Sequence, residues 1–268
     1  MRIYIFFLIV FPYQIFSQVY KGTTFNASKN EVAQFISITI QKKNISTFSD
    51  YNGKFEIFLP SEFDIDSLIF SSIGFERRAI KIGDFKNDKN EIFYINESTT
   101  NLKEVPISSN CYEDRLFGIT SNSKKLRFIS HKQAGHEYCL LVNIKKSALI
   151  QKVFFNIAYC TYDSAVFRLN IYRQTPEDGF ENILKKPIYA KVLKTQIDKQ
   201  IVIDLTEEHI FVDDNFLIAL ENVNQLGKGE LSFCAKMFKE TLSRESNNSP
   251  FKTDPVGISL SVEAKVEK

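Results

Sequence analysis

Three histidines, His131, His136 and His209, are the side chains of this 268-residue chain best suited to metal or acid–base chemistry near neutral pH. A zinc peptidase would need them beside carboxylates, around an open coordination position. None is followed by Glu at the spacing of H-x-x-E or H-E-x-x-H. The stretch "HKQAGHE" sets two of them five apart beside Gly135, the pattern of a loop or strand edge carrying ordinary exposed imidazoles. Nucleophilic chemistry finds no better support, for there is no G-x-S-x-G elbow. His136 and Cys139 lie three apart, so on a strand they point to opposite faces. "GKGELS" lacks a third glycine and the Lys-Ser/Thr of a phosphate loop. The expectation is no catalytic residue, no metal ligand and no cofactor.

Four short polar groups could hold calcium: Asp50-Asn52, "DIDS" at 64–67, "TEEH" at 206–209 and "VDDN" at 212–215. Calcium takes six to eight oxygens, and each group offers two or three. All fall where turn formers belong, and that is the favoured reading. In "SDYNGKFEIFLP", Asn52-Gly53 is expected to supply the positive-φ residues of a tight turn, with Asp50 accepting backbone hydrogen bonds. Gly74 is expected to make a second turn.

One row invites a binding role. In "AVFRLNIYR", Phe167, Leu169 and Ile171 alternate inward, and Arg168, Asn170 and Tyr172 share the other face. An arginine, an amide and a phenol together suit a sugar, a peptide or another sheet. The competing reading is a solvated outer face, or an internal Arg168–Glu221 ion pair.

These groups must be carried by strands. Phe numbers 25 and Trp 0, and apolar residues make up 44% of the chain, enough for a sizeable core. Residues 19 to 107 read as short strands between polar turns: "FISITIQ", "KFEIFL", "DSLIFSSIGF", "RRAIKI" and "EIFYI", with no amphipathic helix. Residues 108–133 read as a polar linker with one short strand. From residue 134, about eight more strands predict an antiparallel, jelly-roll-like sandwich. The chain is therefore expected to be all-β, with two sandwich domains at 18–107 and 134–268.

The start, "MRIYIFFLIVFPYQIFSQ", has a basic residue, a short apolar run and small Ser17, the pattern of a signal peptide spanning 1–17. Export to the periplasm, the outer membrane or the medium follows, with no transmembrane segment after cleavage. In an oxidising compartment Cys111, Cys139, Cys160 and Cys234 could form disulfides, with three possible full pairings, or remain buried thiols. The net charge of +2 argues against a nucleic-acid partner.

The first third of the chain resembles the carboxypeptidase regulatory-like domain, a prealbumin-like sandwich. The resemblance rests on Asp50, Gly53 and Phe55 in the first motif, and on Leu68, Phe70, Ser71, Gly74 and Phe75 in the second. Leu102, Glu104 and Val105 match the closing strand. "YDSAVFRLNIYR", "ENILKKPI" and "GKGELSFCA" are similar to the second β-domain of short exported Gram-negative proteins. The resemblance is to an accessory domain without the peptidase, so it implies no activity. The expected function is a non-enzymatic exported protein that binds a protein or glycan of the cell envelope. A secreted carbohydrate-binding module is the alternative, and a hydrolase is more remote.

Overall fold

Among the described residues, alternating apolar side chains build four sheets. The computed structural model describes residues 19–41, 43, 45–88, 91–98, 111–175, 179–197, 199–246 and 249–268. The expected leader (1–17) and closing strand (101–107) lie outside the described residues.

The first sandwich faces two four-stranded sheets against each other. In one, strand Val19–Asn26 pairs antiparallel with Lys54–Phe58 and Glu31–Val32, and parallel with Ile92–Ile95. In the other, Ser37–Ile40 lies between Ser46–Phe48 and Ser67–Ser71, and the last of these pairs with Arg78–Lys81. Phe55, Ile57 and Leu59 turn inward to meet Ile36, Ile38, Ile40, Leu68 and Phe70. Lys54, Glu56 and Phe58 face out. The expectation of no amphipathic helix in this half is corrected. Ile82–Asn87 is helical and buries Ile82 and Phe85, one turn apart. Six residues are too few to show a periodic stripe in the sequence.

The Asp50 turn is real, but its geometry differs from the expectation. Gly53 has φ +70°, while Asn52 is not among the residues with positive φ. The Gly53 amide donates to the Asp50 carbonyl at 3.0 Å, and the Asp50 amide donates to the Lys54 carbonyl at 2.8 Å. The Asp50 carboxylate accepts from the amides of Asn52 and Lys54, both at 2.8 Å. A single left-handed residue closing a wider turn explains the pattern. The turn also passes the chain from one sheet to the other, since Ser46–Phe48 and Lys54–Phe58 belong to different sheets. A Cβ at position 53 would sit 2.6 Å from the Thr24 carbonyl oxygen.

The second sandwich packs a nine-stranded sheet on a five-stranded one, antiparallel throughout. The nine-stranded sheet centres on Leu231–Arg244, Glu137–Val142, Phe216–Asn222 and Ser164–Gln174, in that spatial order. Phe167, Leu169, Ile171, Ile218, Leu220 and Phe233 meet Val153, Phe155, Leu260 and Val262 across the core.

Two adjacent strands change sheets at a shared corner. Ala148–Phe155 and Leu260–Glu267 lie in the five-stranded sheet, whereas Ile157–Cys160 and Lys252–Ile258 join the larger one. Between them Asn156 Nδ2 donates to Ser259 Oγ at 2.9 Å, and the Ser259 amide donates to the Cys234 carbonyl at 2.7 Å.

The linker expected over 108–133 is also corrected. Tyr112–Gly118 pairs with Leu260–Glu267, and Arg127–Ile129 pairs with Leu231–Arg244. Both are edge strands with exposed charges, so neither shows the apolar alternation of a core strand. No helix among the described residues is long and apolar enough to cross a membrane.

Two substitutions test the first sandwich. Phe55→Ala should cost about 3–5 kcal/mol in urea unfolding, because the ring packs on Phe70, Phe85 and Phe93. Gly53→Val should destabilise by more than about 1 kcal/mol, since a β-branched residue resists positive φ and its Cβ meets Thr24.

Candidate functional site

The Arg168 row is where the sequence pointed, and the structure corrects its character. Arg168, Asn170 and Tyr172 do lie opposite Phe167, Leu169 and Ile171, yet they are 3%, 1% and 6% exposed. The face is not an open binding surface. It is a buried polar layer, partly roofed by the first sandwich.

Strand register sets out the layer. Arg244 lies opposite Glu137, Glu137 opposite Glu221, Glu221 opposite Arg168, and Arg168 opposite Tyr189. Across four neighbouring strands the charges therefore run plus, minus, minus, plus. Like charges directly opposite each other destabilise a sheet, and here both carboxylates are fully buried. Each has its own guanidinium. Arg168 donates from Nε and Nη2 to Glu221 Oε2 at 2.9 and 2.7 Å. Arg244 donates from Nε to Glu137 Oε2. Asn170 Nδ2 bridges the pair, donating to Glu137 Oε1 and to Glu221 Oε2. Tyr172 donates to Glu137 Oε1 at 2.6 Å and accepts from Arg244 Nη2 at 2.8 Å. Asn182 Nδ2 then donates to Asn170 Oδ1 at 3.0 Å.

Charge follows from this geometry. Burial works against the Arg168 cation, but Glu221 outweighs it and holds the guanidinium firmly charged. Burial pushes the Glu221 carboxyl up, and Arg168 opposes that rise. The neighbouring charge of Glu137 raises Glu221 further. Tyr172 is pushed well up, chiefly by burial and then by Glu137, and stays neutral.

The same layer fastens the two sandwiches together. Arg168 Nη1 donates to the Phe35 carbonyl at 3.3 Å and to Ser72 Oγ at 3.0 Å, both on the first sandwich. The guanidinium lies 5.7 Å from the Phe48 ring centre. Phe35 and Phe48 pack with Ala134, Val166 and Val223 of the second sandwich, flanked by Tyr189. Phe35 itself is left-handed, with φ +52°. Gly74 belongs to this joint as well. With φ +78° it sits at the third position of a turn closed by the Phe75 amide and the Ser72 carbonyl, as a type II turn requires. A Cβ there would lie 2.8 Å from the Lys185 carbonyl oxygen. Glu137, Glu221 and Arg244 escaped attention as a group because they are far apart in sequence. Only the strand register unites them.

The histidines divide. His131 and His209 are exposed, but His136 is buried, which corrects the expectation for it. Its ring stacks on His131 at 3.9 Å, while Tyr138 accepts the His131 amide. Burial, then the charge of His131, lowers its pKa to about 4. Stacked rings do not converge on one ion. Among the described residues, no three His, Cys, Asp or Glu side chains meet where a metal could be held. The acidic groups at 206–209 and 212–215 do share a groove of about 580 Å³, where Glu208 is paired with Lys186 at 3.0 Å. The four cysteines are free thiols, Cys111 exposed and Cys139, Cys160 and Cys234 buried. Burial pushes the Cys139 thiol well up.

Two outcomes follow. Arg168→Met should cost about 3–5 kcal/mol in urea unfolding, because it leaves Glu221 buried and uncompensated. Adding Glu221→Leu to that variant should recover much of the loss. Stability should also fall with acid through His136. Its folded pKa lies below the unfolded value near 6.5, so the unfolded chain binds the proton first. The contribution is complete above pH 6.5, is lost progressively down to about pH 4, and amounts to about 3 kcal/mol. Urea titrations should show His136→Gln flattening that slope. Glu245 and Asp254, which favour the imidazolium, and Lys252, which opposes it, set the remainder.

Residues 20–107 match the family model of the CarboxypepD_reg-like domain. No curated protein is matched by the sequence. Among solved structures, the chain is similar to the cysteine protease and lectin-like domains of Cwp84, a surface layer associated protein of Clostridium difficile. That alignment has 8% identity and a TM-score of 0.38, covering 93% of this chain and 58% of the other. A carbohydrate-binding module of the β-sandwich superfamily aligns at 10% identity and a TM-score of 0.24, over 81% and 90% of the two chains. The VP2 subviral particle of infectious bursal disease virus aligns at 14% and 0.26, over 82% and 50%. At these values none of the three bears on what this chain does.

Proposed function

We propose that this chain, whose first sandwich is a CarboxypepD_reg-like domain, is a non-enzymatic exported protein that binds or assembles within the cell envelope. One observation supports the reading above others. The polar constellation formed by Arg168, Asn170, Tyr172, Glu137, Glu221 and Arg244 is turned on itself and on the first sandwich. A catalytic site needs polar groups left facing a substrate. Here the layer satisfies itself, and Arg168 reaches out of it to hold one β-sandwich on the other, which is the work of a scaffold. The outer surface of the joined pair is then what meets a partner.

Expression in a Gram-negative host tests the reading. The mature chain should begin at Gln18 and fractionate with the periplasm or outer membrane. A cytosolic product that keeps Met1 would overturn the exported role. The double variant His131→Ala/His209→Ala should fold normally and keep any binding, since exposed substitutions usually shift stability within about 0.5 kcal/mol. A hydrolytic activity present in the wild type and lost in that variant would overturn the non-enzymatic role.

A further inference from the structure

The most strained exposed feature of the second sandwich lies midway along strand Leu231–Arg244. Its register with Lys252–Ile258 steps from Met237↔Val256 to Thr241↔Asp254. That is four residues along one strand against two along the other, so part of Lys236–Glu240 is thrown outward. All five of those residues are exposed. At the tip Phe238 is 92% exposed with φ +60°, and Met237 beside it is 52% exposed.

A bulky residue with positive φ is a genuine outlier, and an exposed phenyl ring there gains nothing from the fold. The protrusion is nonetheless firmly built. Thr241 Oγ1 donates to the Val256 carbonyl at 2.9 Å and accepts from the Ile258 amide at 2.8 Å. Gly257 carries no side chain where a Cβ would come within 2.6 Å of Lys239 Cβ. The Ala235 amide donates to the Leu126 carbonyl at 3.2 Å, tying the neighbouring loop, residues 120–126, to the root of the protrusion.

Charge selects the partner. Between the protrusion and that loop runs a groove of about 450 Å³, lined in part by Thr120, Ser121, Ser123, Lys236, Met237 and Lys239, where lysine is the only charged residue. Lys124 and Lys125 are exposed on the same loop. Glu240 is the one acid within the protrusion. An aromatic and a thioether at the tip, with lysines set behind them, match a bilayer with anionic headgroups: the ring enters the interface and the ammonium groups meet the phosphates.

We infer that the Met237–Phe238 protrusion, flanked by Lys236 and Lys239 and with Lys124 and Lys125 on the neighbouring loop, docks this protein on an anionic lipid surface. The inference rests on the envelope reading above and names the surface that it would contact.

The test is co-sedimentation of the full mature chain with vesicles of phosphatidylcholine, with and without phosphatidylglycerol. The wild type should pellet with the anionic vesicles and be released as salt rises. Phe238→Ala should weaken binding roughly tenfold or more, and Lys236→Glu with Lys239→Glu should abolish it. Phe238→Gly should also lose binding while its Tm holds or rises, because glycine relieves the left-handed backbone.

The inference is overturned by no pelleting of the wild type, by pelleting indifferent to phosphatidylglycerol, by a Phe238→Ala variant that binds like the wild type, or by a fall in Tm for Phe238→Gly. Binding of neutral oligosaccharides that depends on Phe238, without vesicle binding, would assign the tip to a glycan instead and overturn it equally. A wild type that fractionates with cell envelopes but ignores the vesicles would sink this inference and leave the envelope reading standing.

Discussion

Two carboxylates with no exposure, placed opposite each other on adjacent strands, set the central constraint of this structure. Glu137 and Glu221 could not both remain in the sheet as isolated anions, because desolvating an unpaired charge is prohibitive. Each is answered by the arginine on its outer side, and Asn170 stands between them donating to both. The row is electrically closed across four strands. At the Arg168 end it reaches beyond its own sheet, since Nη1 is left to donate to Phe35 and Ser72. The docking of the first sandwich is thus a continuation of the charge balance inside the second.

Such a row is a poor source of net stability, because burial of four charges offsets most of what their attraction supplies. Its stronger effect is on register. Side chains alternate along each strand, so a one-residue slip of Ser164–Gln174 would drive Arg168 into the apolar core and lift Phe167 out of it. Neighbouring strands Glu137–Val142 and Phe216–Asn222 are bound by the same condition. The Asn156–Ser259 corner adds a second constraint, fixing where two strands leave one sheet for the other. Between them, the row and the corner hold the sandwich to a single pairing.

Much of the architecture was legible in the sequence, and the limits have physical causes. Strict alternation marked Phe55, Ile57 and Leu59, and likewise Phe167, Leu169 and Ile171, as inward-facing, and all six are buried. The Gly53 and Gly74 turns could be read from residue type alone. Asn52 misled because Asn-Gly suits a two-residue hairpin, whereas here one left-handed glycine closes a wider turn between sheets. Residues 112–118 and 127–129 were hidden because edge strands carry charges in place of an apolar face. In sequence the Arg168 row reads as a candidate binding face, with a solvated face or an internal Arg168–Glu221 ion pair as the competing readings, and the depth of its burial is not visible. What covers its Arg168 end is Phe35, Phe48 and Ser72, more than 90 residues away in sequence, while Leu242 and Phe251 pack at the Tyr172 end, and periodicity describes one strand at a time.

Two phenylalanines in left-handed backbone separate what the fold requires from what it does not. Phe35, at φ +52°, is 2% exposed. Its ring packs on Tyr51 and Tyr189 at 4.8 and 5.0 Å, and its carbonyl accepts from Arg168. The backbone strain at that position, of order 1–3 kcal/mol, is borne alongside these buried contacts. Phe238, at φ +60°, carries the same kind of strain with its ring in solvent. Nothing on its own sheet gains from the ring, although the surrounding bulge is pinned by Thr241 and packed on Gly257. Strain that the fold does not offset internally, held on a rigid base and flanked by Lys236 and Lys239, points outward for its compensation. In Phe35 that compensation is a second sandwich, and in Phe238 it is a surface outside the chain.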